Sequence, residues 1–415
     1  MLRSLLLAFL LQTFAFAQST FHLLPNDVVV FYGDSITDQR MYTVLVETFV
    51  RTRFPQSNVK FVHSGWGGDR VTGGGGGAID ERLNRDVLRY NPTVMTIMLG
   101  MNDGRYRAFD QSIFDTYTRG FEHIVDVMKR QAPQARLTFI QPSPFDDTTY
   151  EPRFPGGYNS VLLRYSDYLK TLAAASKATL ADLNTPVVAM LARAKQMDAV
   201  EAQKIIPDRI HPGWGGHLIM AEALLKSWMA PALVTNVDID GEAGRLITAE
   251  KTAVSGFSAN AEGLRWTQKD EALPMPLPKP ANLPGLALAV KASDFHDALN
   301  RQILRVRGAK AAKYELKING GVVGEFTAAQ LNEGINLATM ATPMIKQARE
   351  VHALTIKRTN IHNLRWRNLE TVLGTENLGS LASTMQNLDE LRDELEARQK
   401  AAAIPVTTNY SLVAQ

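Results

Sequence analysis

"VVVFYGDSITD" occupies Val28–Asp38. Its first half, Val28 to Tyr32, is β-branched and aromatic, the composition of a buried strand. It ends in Gly33, Asp34 and Ser35, and helical periodicity follows over Tyr42–Arg53. Strand, tight turn, helix is the opening unit of an α/β fold. The same texture recurs outward to about Leu233. Strands are predicted at Val28–Tyr32, Asn58–His63, Thr93–Leu99, Arg136–Gln141 and Thr179–Leu183. Helices are predicted at Tyr42–Arg53, Phe121–Gln131, Ser160–Ala175 and His217–Met229. This alternation predicts a parallel sheet covered on both faces, with any ligand beyond the carboxyl ends of its strands.

Three consecutive strand ends carry polar groups and glycine. The first gives Gly33-Asp34-Ser35. The second gives "HSGWGGDRVTGGGGG" (His63–Gly77), and the third "LGMNDG" (Leu99–Gly104). One such ending is an ordinary turn; three in register mark a site. A later stretch, "PDRIHPGWGGHLIMAEALL", sets Asp208 three residues before His211. Pro212 pushes His211 out of helical geometry, so the pair sits on a turn entering a helix. A serine hydroxyl needs a base within hydrogen-bond reach, and the base needs a carboxylate. Ser35, His211 and Asp208 are the candidates.

On these blocks the chain resembles the SGNH hydrolases, the GDSL family of esterases and lipases. "GDSITD", "GWGGD", "GMND" and "DRIH" stand in the family's order within Asp27–Leu233. The resemblance implies a three-layer flavodoxin-like domain. It implies Ser35 as nucleophile, His211 and Asp208 as its partners, and an oxyanion hole from the N–H groups of Ser35 and Gly68 and the amide of Asn102. The second block opens with His63, where the family often has Asn. The G-x-S-x-G of α/β-hydrolases is absent. Asp34 is expected to brace its turn. Trp66 and Trp214 flank the motifs and are candidate substrate-binding residues, with packing of the loops as the alternative. The loop Pro142–Asn159 is expected to form a pocket wall.

The chain has 415 residues, 45% hydrophobic and 21% charged, as in a globular protein of more than one domain. A net charge of +3 argues against a nucleic-acid binder. The run Lys357, Arg358, Arg365, Arg367 reads as the solvated side of strands. Arg3, the apolar Leu5–Leu11 and "AFA" at Ala15–Ala17 read as a signal peptide over 1–17, hence an exported, periplasmic or extracellular protein of bacterial type. No segment reads as a stable membrane insertion. There is no cysteine, which removes disulfides and thiolate chemistry. Asp34, Asp208 and His211 are ligand types, but no second histidine stands at ligand spacing, so no metal or other cofactor is expected. The glycine run Gly73–Gly77 lacks the Lys-Ser or Lys-Thr of a phosphate loop and reads as a loop beside the site.

The catalytic domain is predicted at 18–235, followed by a proline-rich linker or irregular region at 236–285. A small β-rich accessory region is expected over 286–370, with strands at Leu286–Val290, Ile303–Arg307, Tyr314–Ile318, Val322–Phe326 and Ala353–Lys357. Asn319-Gly320-Gly321 marks a hairpin. Met385, Leu388, Leu391 and Leu395 predict an amphipathic helix ended before Pro405, within a helical segment 371–415. The expected activity is hydrolysis of short-chain or O-acetyl esters of a small molecule or carbohydrate. Glycan O-acyl transfer and non-catalytic binding on the same scaffold are the alternatives. Export, aromatics near the site and the appended β-rich region favour O-acetyl groups on extracellular carbohydrate, while export alone equally suits a general carboxylesterase.

Overall fold

The computed structural model describes residues 21–260, 262–278 and 283–415, so the expected signal peptide lies outside the described residues. A five-stranded sheet forms the first layer system. Its spatial order is Lys60–Gly65, Val28–Gly33, Val94–Met98, Arg136–Ile140, Thr179–Ala181, and every pairing is parallel. In sequence order this is 2-1-3-4-5, the flavodoxin-like arrangement with its switch point between the first and third strands. Val29, Val30, Phe31 and Tyr32 are fully buried, because helices cover both faces of a parallel sheet. Met41–Arg53 packs with Trp214–Ser227, and Gln111–Gln131 packs with Gly157–Ser176. The helix Gln111–Gln131 buries Tyr117, Phe121, Ile124, Val125 and Met128, one apolar stripe, and Asp110 caps its start by accepting from Ser112 and Ile113.

Beyond Leu233 the structure departs from several expectations. The linker predicted at 236–285 is strand through Asp270. Leu233–Asp240, Arg245–Glu250, Thr252–Asn260 and Gly263–Asp270 follow one another there. Leu286–Lys291 is helix, not strand. Ala353–Lys357 lies within the helix Pro343–Asn363. The basic run therefore sits on that helix and on the π-helical turn Leu364–Glu370 that continues it, and Arg358 is buried. The hairpin expected at Asn319–Gly321 joins Lys313–Ile318 to Gly321–Thr327. The amphipathic helix spans Leu381–Ala403, and a further strand, Thr408–Ala414, comes after it.

These strands make two sheets that share one core. One runs Thr252–Asn260, Gly263–Asp270, Thr408–Ala414, Lys313–Ile318, Gly321–Thr327. The other runs Ile335–Asn336, Arg301–Arg307, Leu233–Asp240, Arg245–Glu250. Val237, Ile239, Trp266, Val306, Leu316 and Leu412 meet between them, a sandwich of two inner apolar faces. The helix Pro343–Asn363 closes that core with Met344, Ala348 and Val351. Its later turns pack on Met41–Arg53 of the first sheet's layer. Among the described residues no helix is long and apolar enough to cross a membrane.

Candidate active site

Ser35 opens a one-turn helix, Ser35–Asp38, directly at the end of the strand Val28–Gly33. Asp34 caps that turn, its Oδ1 accepting from the Ile36 N–H at 3.0 Å. The cap is wholly buried. Desolvation pushes the Asp34 carboxyl up to about 7, against the pull of the Ile36 N–H. Gly33 has no room for a side chain: an added Cβ would lie 2.3 Å from Thr37 Oγ1 and 2.7 Å from the Met98 carbonyl. The strand can turn into the helix only because this position is bare.

The serine hydroxyl lies 2.8 Å from His211 Nε2. His211 Nδ1 lies 2.6 Å from Asp208 Oδ2. Asp208 Oδ1 accepts from the N–H groups of Ile210 (2.9 Å) and His211 (2.7 Å), so the carboxylate is fixed by its own turn. Partial desolvation pushes this carboxyl up, but the N–H and imidazole of His211 and the N–H of Ile210 outweigh it and hold it below its ordinary value. The turn is unusual in its backbone. Arg209 has a φ of 72°, in the left-handed region. Its carbonyl accepts from Asp146 N–H at 2.9 Å, and its guanidinium donates to the Glu151 carbonyl at 2.7 Å and stacks on Tyr150. The loop Pro142–Asn159, expected as a pocket wall, holds the Asp208–His211 turn through these contacts. The Asp208 side chain is 53% exposed and that of His211 35% exposed, so the pair faces solvent.

The second strand end forms a turn against the first. Trp66 N–H donates to the Gly33 carbonyl at 2.9 Å, and Gly67 N–H donates to Asp38 Oδ2 at 3.2 Å. A Cβ on Gly67 would stand 4.0 Å from Ser35 Cβ, which places this turn beside the hydroxyl. Gly68 has a φ of 78°, and nothing lies within 4 Å of the side chain it lacks. Gly68 is exposed, and its left-handed backbone suits a residue without a side chain. The third strand end brings Asn102, whose Nδ2 donates to the Asp69 carbonyl at 3.1 Å. The structure therefore brings Ser35, His211, Asp208, Gly68 and Asn102 to one edge of the parallel sheet.

The two tryptophans differ from that cluster. Trp66 is packed among the guanidinium groups of Arg82, Arg85 and Arg367 and the edge of Trp366. Its ring is half-buried among these groups. Trp214 meets His352 of the helix Pro343–Asn363 edge to face, with centroids 5.8 Å apart. The glycine run is a two-stranded ribbon, Gly73–Gly74 with Gly77–Ala78, and Gly76 closes on the Trp66 ring.

Beneath the second strand end lies an ion network that the motifs do not announce. Arg82, fully buried, donates to Asp69 Oδ2 at 2.7 Å, to the Ser64 carbonyl at 2.8 Å and to Asp86. Asp86 also accepts from Trp366 Nε1 at 2.5 Å. A buried cation of this kind is tolerable only with such complete pairing. His63 points away from the site. Its Nδ1 is 2.7 Å from Thr43 Oγ1 and its Nε2 3.1 Å from Glu47 Oε2, so the departure at this position serves packing of the sheet on its helix. Among the described residues no three His, Asp or Glu side chains are placed to hold a metal ion.

Comparison with known proteins gives the same frame. Residues 31–219 match the model of the GDSL-like Lipase/Acylhydrolase family. The chain is similar to BT4096, described as a gut microbial diltiazem-metabolizing enzyme. The two share 24% identity and a TM-score of 0.82, over 96% of this chain and all of that one. It is also similar to the acetylxylan esterase Axe2 of Geobacillus stearothermophilus, at 20% identity and a TM-score of 0.41 over 50% of this chain and 96% of that one. A GDSL-like lipase of Parabacteroides merdae shows 19% identity and a TM-score of 0.42, over 50% of this chain and 98% of that one. At these identities the likeness is one of fold. No curated protein sequence matches the chain.

Proposed function

From a chain whose residues 31–219 belong to the GDSL-like lipase/acylhydrolase family of carboxylic ester hydrolases, we propose an exported serine esterase that removes short acyl groups, O-acetyl groups of carbohydrate among them. The observation that carries the reading is the relay from Ser35 Oγ to His211 Nε2 (2.8 Å) and from His211 Nδ1 to Asp208 (2.6 Å). In this reading Ser35 Oγ attacks the ester carbonyl carbon while His211 Nε2 takes the hydroxyl proton. The carbonyl oxygen becomes an oxyanion, met by the N–H groups of Ser35 and Gly68 and the Asn102 amide. Collapse breaks the bond to the alcohol, which leaves with the proton from Nε2. Water then gives its proton to Nε2 and its oxygen to the acyl carbon, releasing acid and restoring Ser35. Asp208 keeps Nδ1 protonated and steadies the charged imidazole.

Support for short acyl groups and carbohydrate is of a different kind. The site is open to solvent, and the similar proteins include one described as an acetylxylan esterase. Export rests on Arg3, Leu5–Leu11 and Ala15–Ala17. The test is hydrolysis of p-nitrophenyl acetate by the purified chain beside Ser35→Ala. Activity is expected in the first and none above background in the second; an active Ser35→Ala variant overturns the mechanism. Acetate release from acetylated xylan, set against longer p-nitrophenyl acyl esters, tests the substrate class.

A further inference from the structure

Asn102 has its carboxamide oriented by two neighbours of unlike chemistry. Its Nδ2 lies 3.1 Å from the Asp69 carbonyl oxygen, and its Oδ1 lies 2.7 Å from the Tyr106 hydroxyl. A backbone carbonyl only accepts, so Nδ2 must face it. The amide oxygen then faces Tyr106, and the phenol must donate. One Nδ2 hydrogen is used on Asp69, and the second has no protein acceptor among the described residues.

We propose that Tyr106 is a positioning residue for ester cleavage: its hydroxyl locks the Asn102 amide so that the spare Nδ2 hydrogen is held ready for the oxyanion. The inference rests on the oxyanion role proposed for Asn102. The local backbone is built for this contact. Arg105 and Tyr106 have φ of 56° and 54°, two adjacent non-glycine residues in the left-handed region. Such conformations persist where the surroundings over-determine them. The surroundings here are aromatic. The Tyr106 ring lies 5.2 Å from Tyr158 and 6.3 Å from Phe145. Tyr158 in turn donates to the Met101 carbonyl at 2.6 Å, and its hydroxyl would lie 2.4 Å from any Cβ on Gly104. The turn after "GMND" is thereby wedged so that Tyr106 points back at Asn102. Burial pushes its hydroxyl up to about 12, so it stays a donor at neutral pH.

The experiment compares Tyr106→Phe, Asn102→Ala and the double variant on p-nitrophenyl acetate, with thermal unfolding of each. Asn102→Ala should lose roughly 10²–10³ in kcat. Tyr106→Phe should lose about tenfold in kcat with KM unchanged and little change in Tm. In the Asn102→Ala background the Tyr106→Phe change should have less than about a twofold effect, since the group it positions is gone. A Tyr106→Phe enzyme with wild-type kcat, beside a crippled Asn102→Ala, overturns the positioning role alone. Wild-type kcat in Asn102→Ala overturns the oxyanion assignment and the inference with it. Equal losses from Tyr106→Phe in both backgrounds assign the tyrosine a merely structural role and overturn the inference.

Discussion

Arg358 Nη2 donates to Glu47 Oε2 at 2.6 Å, with the two side chains 5% and 0% exposed. Arg358 belongs to the helix Pro343–Asn363 and Glu47 to Met41–Arg53, so the pair joins the C-terminal region to the layer that carries Ser35. His63 and Gln399 complete the ring around the carboxylate, Gln399 at 3.1 Å. Burial alone would push the Glu47 carboxyl up. The Arg358 guanidinium, then His63 and Arg51, overcome it and hold it well below the usual carboxylate range.

Arg358→Ala strands that charge in the interior and is expected to cost about 3–5 kcal/mol of stability in urea unfolding. Replacing both partners, Glu47→Gln with Arg358→Met, should recover most of it. A single variant within about 1 kcal/mol of wild type would contradict the pairing. The sign with pH follows from a depressed folded value. The contribution is present above the carboxylate's ordinary value of 4.5 and fades as pH falls through the folded one.

Two glycines should separate folding from turnover. Gly33→Ala drives a Cβ against Thr37 and the Met98 carbonyl, so little folded protein is expected. Gly68→Ala meets open space and only a φ of 78°, a strain of about 1–2 kcal/mol. It should fold, lose a few degrees of Tm, and lose turnover as its N–H is displaced. Unchanged kcat in folded Gly68→Ala would remove that N–H from the oxyanion hole.

Asp208→Asn keeps the size of the side chain but removes the charge 2.6 Å from His211 Nδ1. The imidazole then loses its tautomer lock. A fall of roughly 10³–10⁴ in kcat is expected with the fold intact, read from steady-state kinetics beside circular dichroism. A loss under about tenfold would show that the carboxylate is dispensable.

His217 is fully buried, 2.9 Å from Gln39 Oε1 and stacked on Tyr42. Desolvation, aided by the charge of His211, lowers its pKa to about 3 from an ordinary 6.5. Below 6.5 the unfolded chain takes a proton that the folded chain refuses, so stability falls with pH. Relative to His217→Gln, the wild type should lose about 1.4 kcal/mol per pH unit between pH 6.5 and 4. A gap between the two that stays flat over this range would mean the imidazole is charged in the fold.

The site was legible because its parts are short and local. "GDSITD", "GMND" and "DRIH" each put a candidate site residue on one turn, and an α/β alternation delivers the turns to one edge. Tyr106 was not legible, since nothing in "NDGRYR" announces two left-handed residues in a row. The C-terminal region hides its elements for a different reason. "LALAV" at Leu286 is an apolar run that fits helix or strand equally. "ALTIK" at Ala353 is β-branched, yet Ala348, Val351, Thr355, Arg358 and His362 share the buried side of a helix. Polar members of that stripe hid its period. The strands Arg245–Glu250 and Thr252–Asn260 are largely exposed, and their apolar residues, Leu246–Ile247 and Ala253–Val254 among them, do not alternate with polar ones.

The strand Thr408–Ala414 lies in the middle of its sheet, between Gly263–Asp270 and Lys313–Ile318. It is the last of the five to leave the ribosome. Until then its two neighbours present unpaired edges to each other across a vacant slot, an invitation to pair with another chain. The parallel sheet bearing Ser35 is under no such constraint, because its strands are complete by Ala181. Synthesis therefore completes the sheet that carries Ser35 early and its partner layer late. A chain cut short before Thr408 would keep every residue of the candidate site and still carry an open, adhesive sandwich.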